Sequence, residues 1–443
     1  MRKKQLLRDR QALLDEIAAL QAENLRLRVG EPPEAPAPDS PEEEAAAHPS
    51  EFSRFPLLRA VDEKYENAIY DGLSMTEPKA GAAPQVPLPQ IAEHMRRYAA
   101  AHFGLYAGRP LFACFLGAMA ASDFLLLRAV KADIDGQDTG HGPLAFCRAV
   151  AAAWGQNIEI APVQPSWSGP ADLLGEPDPA ARRYRETDLL RAVYEAGYLE
   201  GVSFAVLEGV TAAPEHCLSQ LLPLLALSHN RAQLRTGANL ARRLTLADSA
   251  WPGDPLLLEN GVLPWPENLW VIGTLPPDAP PPSQKLRAAA MEFCLPGQQG
   301  TKAFLTPLEN PAPVTARQLR DLFAHAREVY ALPEETLRLF ALVEQHLAEH
   351  MELSLGAQSQ GQLRAFGSVC LACGLRPNEA LDGFFYHQAM RRLEYADAGA
   401  LKYELPGLRR FLAETFGKRT LPLTMEYLDF VQNDYWKSNN TLS

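Results

Sequence analysis

Residues 115–126 read FLGAMAASDFLL and follow the apolar run RPLFACF (109–115). The run LFACFLG predicts a buried strand, the small residues after it a tight turn, and SDFLL the start of a helix. A strand, a turn on small residues and a helix together have the shape of a phosphate-binding loop. Such a loop needs glycines so that backbone N–H groups can surround phosphate oxygens, a Lys for the terminal phosphates, and Ser or Thr for Mg²⁺. The stretch offers one glycine, Gly117. Counting from it, Ser122, Asp123 and Phe124 stand where Gly, Lys and Ser/Thr belong. Asp123 would set a carboxylate against phosphate, a like-charge contact. The question is whether this is a ruined nucleotide site or something else.

The rest of the chain supplies the frame. Its 443 residues are enough for two or three domains, and 47% hydrophobic residues give it a sizeable core. The net charge of −12 argues against nonspecific binding of nucleic acid or of an anionic membrane surface, because phosphates repel such a chain. The six cysteines, Cys114, Cys147, Cys217, Cys294, Cys370 and Cys373, all lie in apolar surroundings. With a charged N-terminus and no long uncharged apolar run, this predicts a reduced, cytoplasmic setting with no membrane span.

Residues 1–29 place Leu6, Leu13, Leu20 and Leu27 seven apart, with Arg10, Ile17 and Asn24 between them. This heptad predicts a coiled coil and self-association, an Asn at such a position limiting register and strand number. The other reading is a single solvated amphipathic helix. Residues 30–50 are Pro-, Ala- and Glu-rich and predict an extended, solvated linker. Residues 51–108 predict a small helical segment. Over 109–314 short β-rich runs (LFACFLG, NIEIAPV, VSFAVLEGV, NLWVIGTL) alternate with helical stretches, which predicts a parallel sheet covered on both faces. Residues 315–443 read as almost entirely helical.

Several pieces, taken in order, carry a family likeness. Trp167, then Asp172-Leu173-Leu174-Gly175, then Tyr184 and a helix form one. SFAVLEGVTAAPEHCLSQLLPLL (203–225), with Glu215 and His216 after an acidic strand end, is a second. PENLWVIGTLPPD (266–278), KLRAAAMEF (285–293) and the run Glu379-Ala380-Leu381-Asp382 complete it. Together they resemble the McrB-like group of AAA+ P-loop NTPases. The resemblance implies an α/β P-loop core over 109–314 and a C-terminal helical lid over 315–443, behind the coiled coil that the heptad predicts.

The departures from that family are as telling as the likeness. On the family's pattern 115–126 is the Walker A loop, with Gly117, Ser122 and Asp123 as its degenerate nucleotide-binding residues. The Walker B strand should end Asp-Glu, but this one gives Leu207-Glu208 and then Gly209. In one alignment Glu208 is the vestigial catalytic Glu and Leu207 replaces the Asp; a one-residue shift puts Glu208 at the Asp. The sensor strand has Pro276 where an Asn belongs. Of a D-R-A element only Arg287 and Ala288 remain, with Leu286 for the Asp and Arg287 as an arginine-finger candidate. Four parts of one chemistry are missing while the apolar strands that would carry them are kept. The expectation is a catalytically degenerate AAA+ protein without a cofactor. It would be an assembly or regulatory subunit, self-associating and joined to a nuclease-type or other protein partner in a restriction or defence complex. The alternative is a divergent active NTPase, using ATP or GTP with Mg²⁺, whose site a partner subunit completes.

Three other features have more than one reading. HLAEH (346–350) matches the inverted zinc-hydrolase motif, with Glu414 or Glu426 available as a further carboxylate, but it also fits the polar face of an ordinary amphipathic helix. Cys370 and Cys373 have C-x-x-C spacing without a second pair and read as core residues. Arg182, Arg183 and Arg185 read as a solvated surface, in a loop that relatives place near a pore or partner.

Overall fold

The fold was taken from a computed structural model, which describes residues 53–70, 86–129, 142–155, 158–226, 243–247, 253–276, 281–295, 314–395, 398–417 and 420–440. The heptad of 1–29 and the linker of 30–50 lie outside the described residues. Residues 53–443 form one compact unit.

The opening stretch is where the first expectation fails. LFACFLG is not a strand. Residues Arg109–Ala121 form one helix, with Gly108 as N-cap and Pro110 in the first turn, where its missing N–H costs nothing. Ser122 ends that helix in extended backbone, and Phe124–Ala129 is strand β1. The order is helix–turn–strand, the reverse of a phosphate loop. An uninterrupted apolar run fits a buried helix as well as a buried strand, and length decides between them. Here thirteen residues, nine of them buried, wrap all round a helix in the middle of the molecule.

The other expected strands form where the β-rich runs place them: β2 (Ile158–Pro162), β5 (Ser203–Glu208) and β8 (Leu269–Leu275). One strand was not anticipated, β9 (Met291–Leu295), inside the run AAAMEFCL. These join β1 in a five-stranded sheet of order β2-β5-β8-β1-β9, parallel throughout. Two small antiparallel hairpins stand apart from it. One pairs β3 (Glu176–Asp178) with β4 (Arg183–Arg185); the other pairs β6 (Arg243–Thr245) with β7 (Val262–Pro264).

Alternate strand residues feed two cores, as the pleat requires. Leu125, Leu127, Phe204, Val206, Trp270 and Ile272 face one side. There they pack with the helices Leu88–Phe103, Arg109–Ala121 and Pro143–Ala153 and with the C-terminal helices. Phe124, Leu126, Ala205, Leu207, Leu269 and Val271 face the other side. They meet the helices Pro56–Tyr70, Asp188–Ala196, Leu221–Ala226 and Gln284–Ala289.

From Thr315 onward the described residues are mostly helical, as the periodicity predicts: Ala316–Val329, Glu334–Met351, Ser359–Ala372, Pro377–Phe384, Ala398–Phe416 and Pro422–Asn440. These helices join the first core; Leu381 and Phe385 are fully buried in it. Among the described residues no helix is long and apolar enough to cross a membrane.

Candidate functional site

In an open parallel sheet, ligands bind outside the carboxyl ends of the strands, where neighbouring strands send their connections to opposite faces. Here that point lies between β1 and β8. After β1 the chain passes to the Pro143–Ala153 helix on the first face. After β8 it passes to the Gln284–Ala289 helix on the second. β1 and β8 pair directly, Phe124 with Val271 through Arg128 with Leu275.

Gly117, Ser122 and Asp123 are not in that crevice. Ser122 and Asp123 lie at the amino end of β1, about 20 Å away along a six-residue strand, and Gly117 lies within the helix before it. Gly117 is a packing residue. A Cβ there would come within 2.9 Å of the Phe366 carbonyl oxygen and 3.2 Å of the Cys370 Sγ, so its bare backbone lets two helices touch. The Ser122 Oγ donates to the Phe124 carbonyl at 2.7 Å and accepts from the Phe124 N–H at 3.0 Å, closing the turn locally. Asp123 is buried and ion-paired with Arg320 at 3.1 Å. That guanidinium also lies 4.2 Å from the centre of the Trp270 ring and donates to the Glu267 carbonyl. The acid that a phosphate would repel is a structural anchor for the Ala316–Val329 helix.

Next to the crevice lie the ends of β8, which borders it, and of β5, one strand further along. Leu207 is fully buried on the second face, and Glu208 is exposed at the tip of β5. Gly209 turns the chain with φ +67°, and its N–H donates to the Thr274 Oγ1 at 3.0 Å. The Val210 N–H donates to the Thr274 carbonyl at 3.0 Å. Room for Val210 comes from Gly273, whose Cβ would meet the Val210 Cγ1 at 3.1 Å and the Leu126 Cδ2 at 2.9 Å. Pro276 follows Thr274 by two residues and is exposed. Arg287 is half-buried in the last turn of the Gln284–Ala289 helix.

Around the crevice the DLLG turn is built much as its residues suggest. Asp172 accepts the Ser168 and Gly169 N–H groups at 2.7 and 3.1 Å, which holds its carboxyl below the usual range. The His216 Nε2 meets the Ser168 carbonyl at 2.8 Å, tying the Glu215–Leu218 turn to the same loop. Gly175 has φ +86°, and a Cβ there would sit 2.2 Å from the Arg185 carbonyl oxygen, so no other residue fits. Tyr184, in the β3–β4 hairpin, stacks on Phe55 with ring centres 5.0 Å apart. Arg183 and Arg185 are exposed on that hairpin, and Arg185 pairs with Glu176.

The position of a true phosphate loop is the segment after β1, residues 130–141, which lies outside the described residues. The sequence signal for it was the run FLLLRA followed by Gly136, Gly140 and Gly142 and then a helix. The helix opens with Gly142 as N-cap and Pro143 at its first position, followed by Leu144. Pro143 and Leu144 thus stand where a Lys and a hydroxyl would follow the last glycine, while Lys131 and Thr139 fall within 130–141. The chain's one Gly-Lys pair, Gly417-Lys418, is followed by Arg419. Pro143 and Leu144 therefore do not fit Mg²⁺-nucleotide in the usual manner.

The remaining candidates resolve simply. The His346 and His350 rings lie 4.4 Å apart, and His346 stacks on Phe411 at 4.1 Å. Burial and the neighbouring His350 push the His346 pKa down. Among the described residues no group of three His, Cys, Asp or Glu side chains could hold a metal. Cys370 and Cys373 are buried, and burial pushes the Cys373 thiol up to about 12.

No family model matches the chain, and no curated protein matches it. Among solved structures it is similar to that of a candidate ATPase from Cytophaga hutchinsonii, at 10% identity and a TM-score of 0.42, over 73% of this chain and 89% of that one. At that TM-score the likeness is loose, and the functional reading rests on the chain's own residues.

Proposed function

We propose that this protein is a catalytically degenerate, AAA+-type assembly or regulatory subunit. One observation carries the reading. At the switch point of a parallel sheet, the places where NTP chemistry needs a Lys, a Mg²⁺ ligand and a water-orienting amide are filled by Pro143, Leu207 and Pro276. The backbone that would hold such groups is nonetheless built with care, with Thr274 bracing the turn after Glu208. A scaffold kept without its chemistry suits a subunit that binds other proteins. The McrB-like resemblance points to a restriction or defence complex with a nuclease-type partner, and the leucine heptad of 1–29 to self-association.

Calorimetric titration with ATP and GTP plus Mg²⁺, followed by a phosphate-release assay, tests the reading. No binding tighter than millimolar and no turnover are expected, because each lost charge-assisted contact costs about 1.5–3 kcal/mol. Micromolar binding, or turnover abolished by Glu208→Gln, would sink it. Deleting residues 1–30 should lower the mass seen in analytical ultracentrifugation.

Glu208 favours a second reading. It is an exposed carboxylate at a strand tip, where it could polarise a water for phosphate supplied by another subunit. Turnover that appears only on adding a partner, and is lost with Glu208→Gln, would promote that shared-site enzyme.

A further inference from the structure

Strand β9 is an edge of the sheet, and edge strands leave a row of backbone groups unpaired. In a parallel ladder, alternate residues turn their N–H groups outward. β9 has two such groups in its interior, at Glu292 and Cys294, and both are taken. The Gln388 Oε1 accepts the Glu292 N–H at 2.6 Å. The His387 Nδ1 accepts the Cys294 N–H at 3.2 Å. Two adjacent side chains thus do the work of a sixth strand.

They can do so because of where they sit. His387 and Gln388 belong to a single π-helical turn, Phe385–Ala389, which continues the Pro377–Phe384 helix. The wider turn brings consecutive side chains towards the same edge. Both residues are buried. The His387 ring lies flat on Phe293, with centres 4.1 Å and planes 11° apart. The helix that leads into this turn is tied into the C-terminal bundle, since Asp382 accepts the Leu423 and Thr424 N–H groups, each at 2.9 Å, at the start of the Pro422–Asn440 helix. Close approach adds to the hold: a Cβ on Gly383 would lie 2.8 Å from the Cys114 Sγ of the Arg109–Ala121 helix.

We infer that His387 and Gln388 form a clasp that fixes the C-terminal helical bundle to the sheet edge, so that bundle and sheet move as one body rather than as a core and a closing lid. The clasp also seals β9 against addition of a strand from another chain. Both consequences stand on geometry at the β9 edge, three strands along from Glu208, and go beyond the nucleotide-site reading.

Electron–electron distance measurement on the full chain tests the clasp, with spin labels at Leu256→Cys, beside the sheet, and Leu342→Cys, in the bundle. Both positions are exposed, and the native cysteines are buried, so labelling is selective. The expected result is one narrow distance distribution, unchanged by ATP and Mg²⁺. Introducing His387→Leu with Gln388→Leu should broaden it and speed amide exchange at 292 and 294 about tenfold, with β5 and β8 unaffected. A broad or two-peaked distribution in the unsubstituted chain would overturn the inference. Should the double variant fail to fold, amide exchange in the wild-type chain decides. Protection at 292 and 294 equal to that of central β1 upholds the clasp, and loop-like exchange removes it. Nucleotide binding by calorimetry would defeat the degenerate-site reading while leaving a narrow distribution, and the clasp, intact.

Discussion

The Gly209 N–H donates to the Thr274 Oγ1 at 3.0 Å, one residue beyond Glu208. This hydrogen bond joins the carboxyl ends of β5 and β8, one strand from the point between β8 and β1 where the connections change face. It fixes where the Glu208 carboxylate leaves the strand, although neither of its partners carries a charge.

Thr274→Val is close in shape but strands the Gly209 N–H in a buried place. We expect a loss of about 1–3 kcal/mol in urea unfolding. Thr274→Ser keeps the hydroxyl and should recover most of it. A Thr274→Val variant as stable as the wild type, with Thr274→Ser the weaker of the two, would mean that the methyl packing of Thr274 matters and the hydrogen bond does not.

Gly117→Ala separates two accounts of the opening stretch. In a phosphate loop the change would act on ligand binding. Here the added methyl meets the Phe366 carbonyl and the Cys370 Sγ. Overpacking of this kind costs about 1–3 kcal/mol, outweighing the roughly 1 kcal/mol that Ala gains over Gly in a helix. A lower thermal midpoint is expected; an unchanged or raised one would mean that the helices yield easily.

Arg320→Leu should cost more than Asp123→Asn. The first leaves a buried carboxylate without its cation, for which about 3 kcal/mol is expected. The second leaves Arg320 partly exposed, stacked on Trp270 and bonded to the Glu267 carbonyl, with a loss nearer 1–2 kcal/mol. Urea denaturation of the two variants checks the order, and the reverse ranking would refute it.

His387 predicts a pH dependence. Burial, with Arg391 adding to it, pushes its pKa down to about 3, while the Cys294 N–H needs its Nδ1 unprotonated. Below the ordinary His value of about 6.5 the unfolded chain binds a proton that the folded chain refuses. Stability contributed by this group is therefore complete above about pH 6.5 and falls towards pH 3, by at most about 1.4 kcal/mol per pH unit. His387→Gln keeps an acceptor without titrating. Between pH 5 and 6.5 its unfolding free energy should fall less steeply than that of the wild type, and parallel curves would contradict the assignment.

Much of the fold was legible because its signals are local. The β-rich runs at 158–162, 203–208 and 269–275 became parallel strands, and the 3.6-residue periodicity after 315 became helices. The DLLG turn carries its own chemistry, an Asp that caps two N–H groups and a glycine with a left-handed φ. Glu208 at a strand tip was equally readable, because a charge that ends an apolar run marks where the strand leaves the core.

By itself, then, the sequence determined the alternation of strands and helices and the helical C-terminal third, since hydrophobic period is a property of neighbouring residues. Tertiary structure alone decided the nature of residues 109–126. LFACFLG has no period that separates strand from helix. It became a helix because Gly117 lets it press against Phe366 and Cys370, about 250 residues further along the chain. Asp123 became an anchor and not a flaw because Arg320, 197 residues away, meets it. β9 was missed for the same reason: a five-residue edge strand is held by Leu125–Ala129 of β1 on one side and by His387 and Gln388 on the other, partners that no local window of sequence contains.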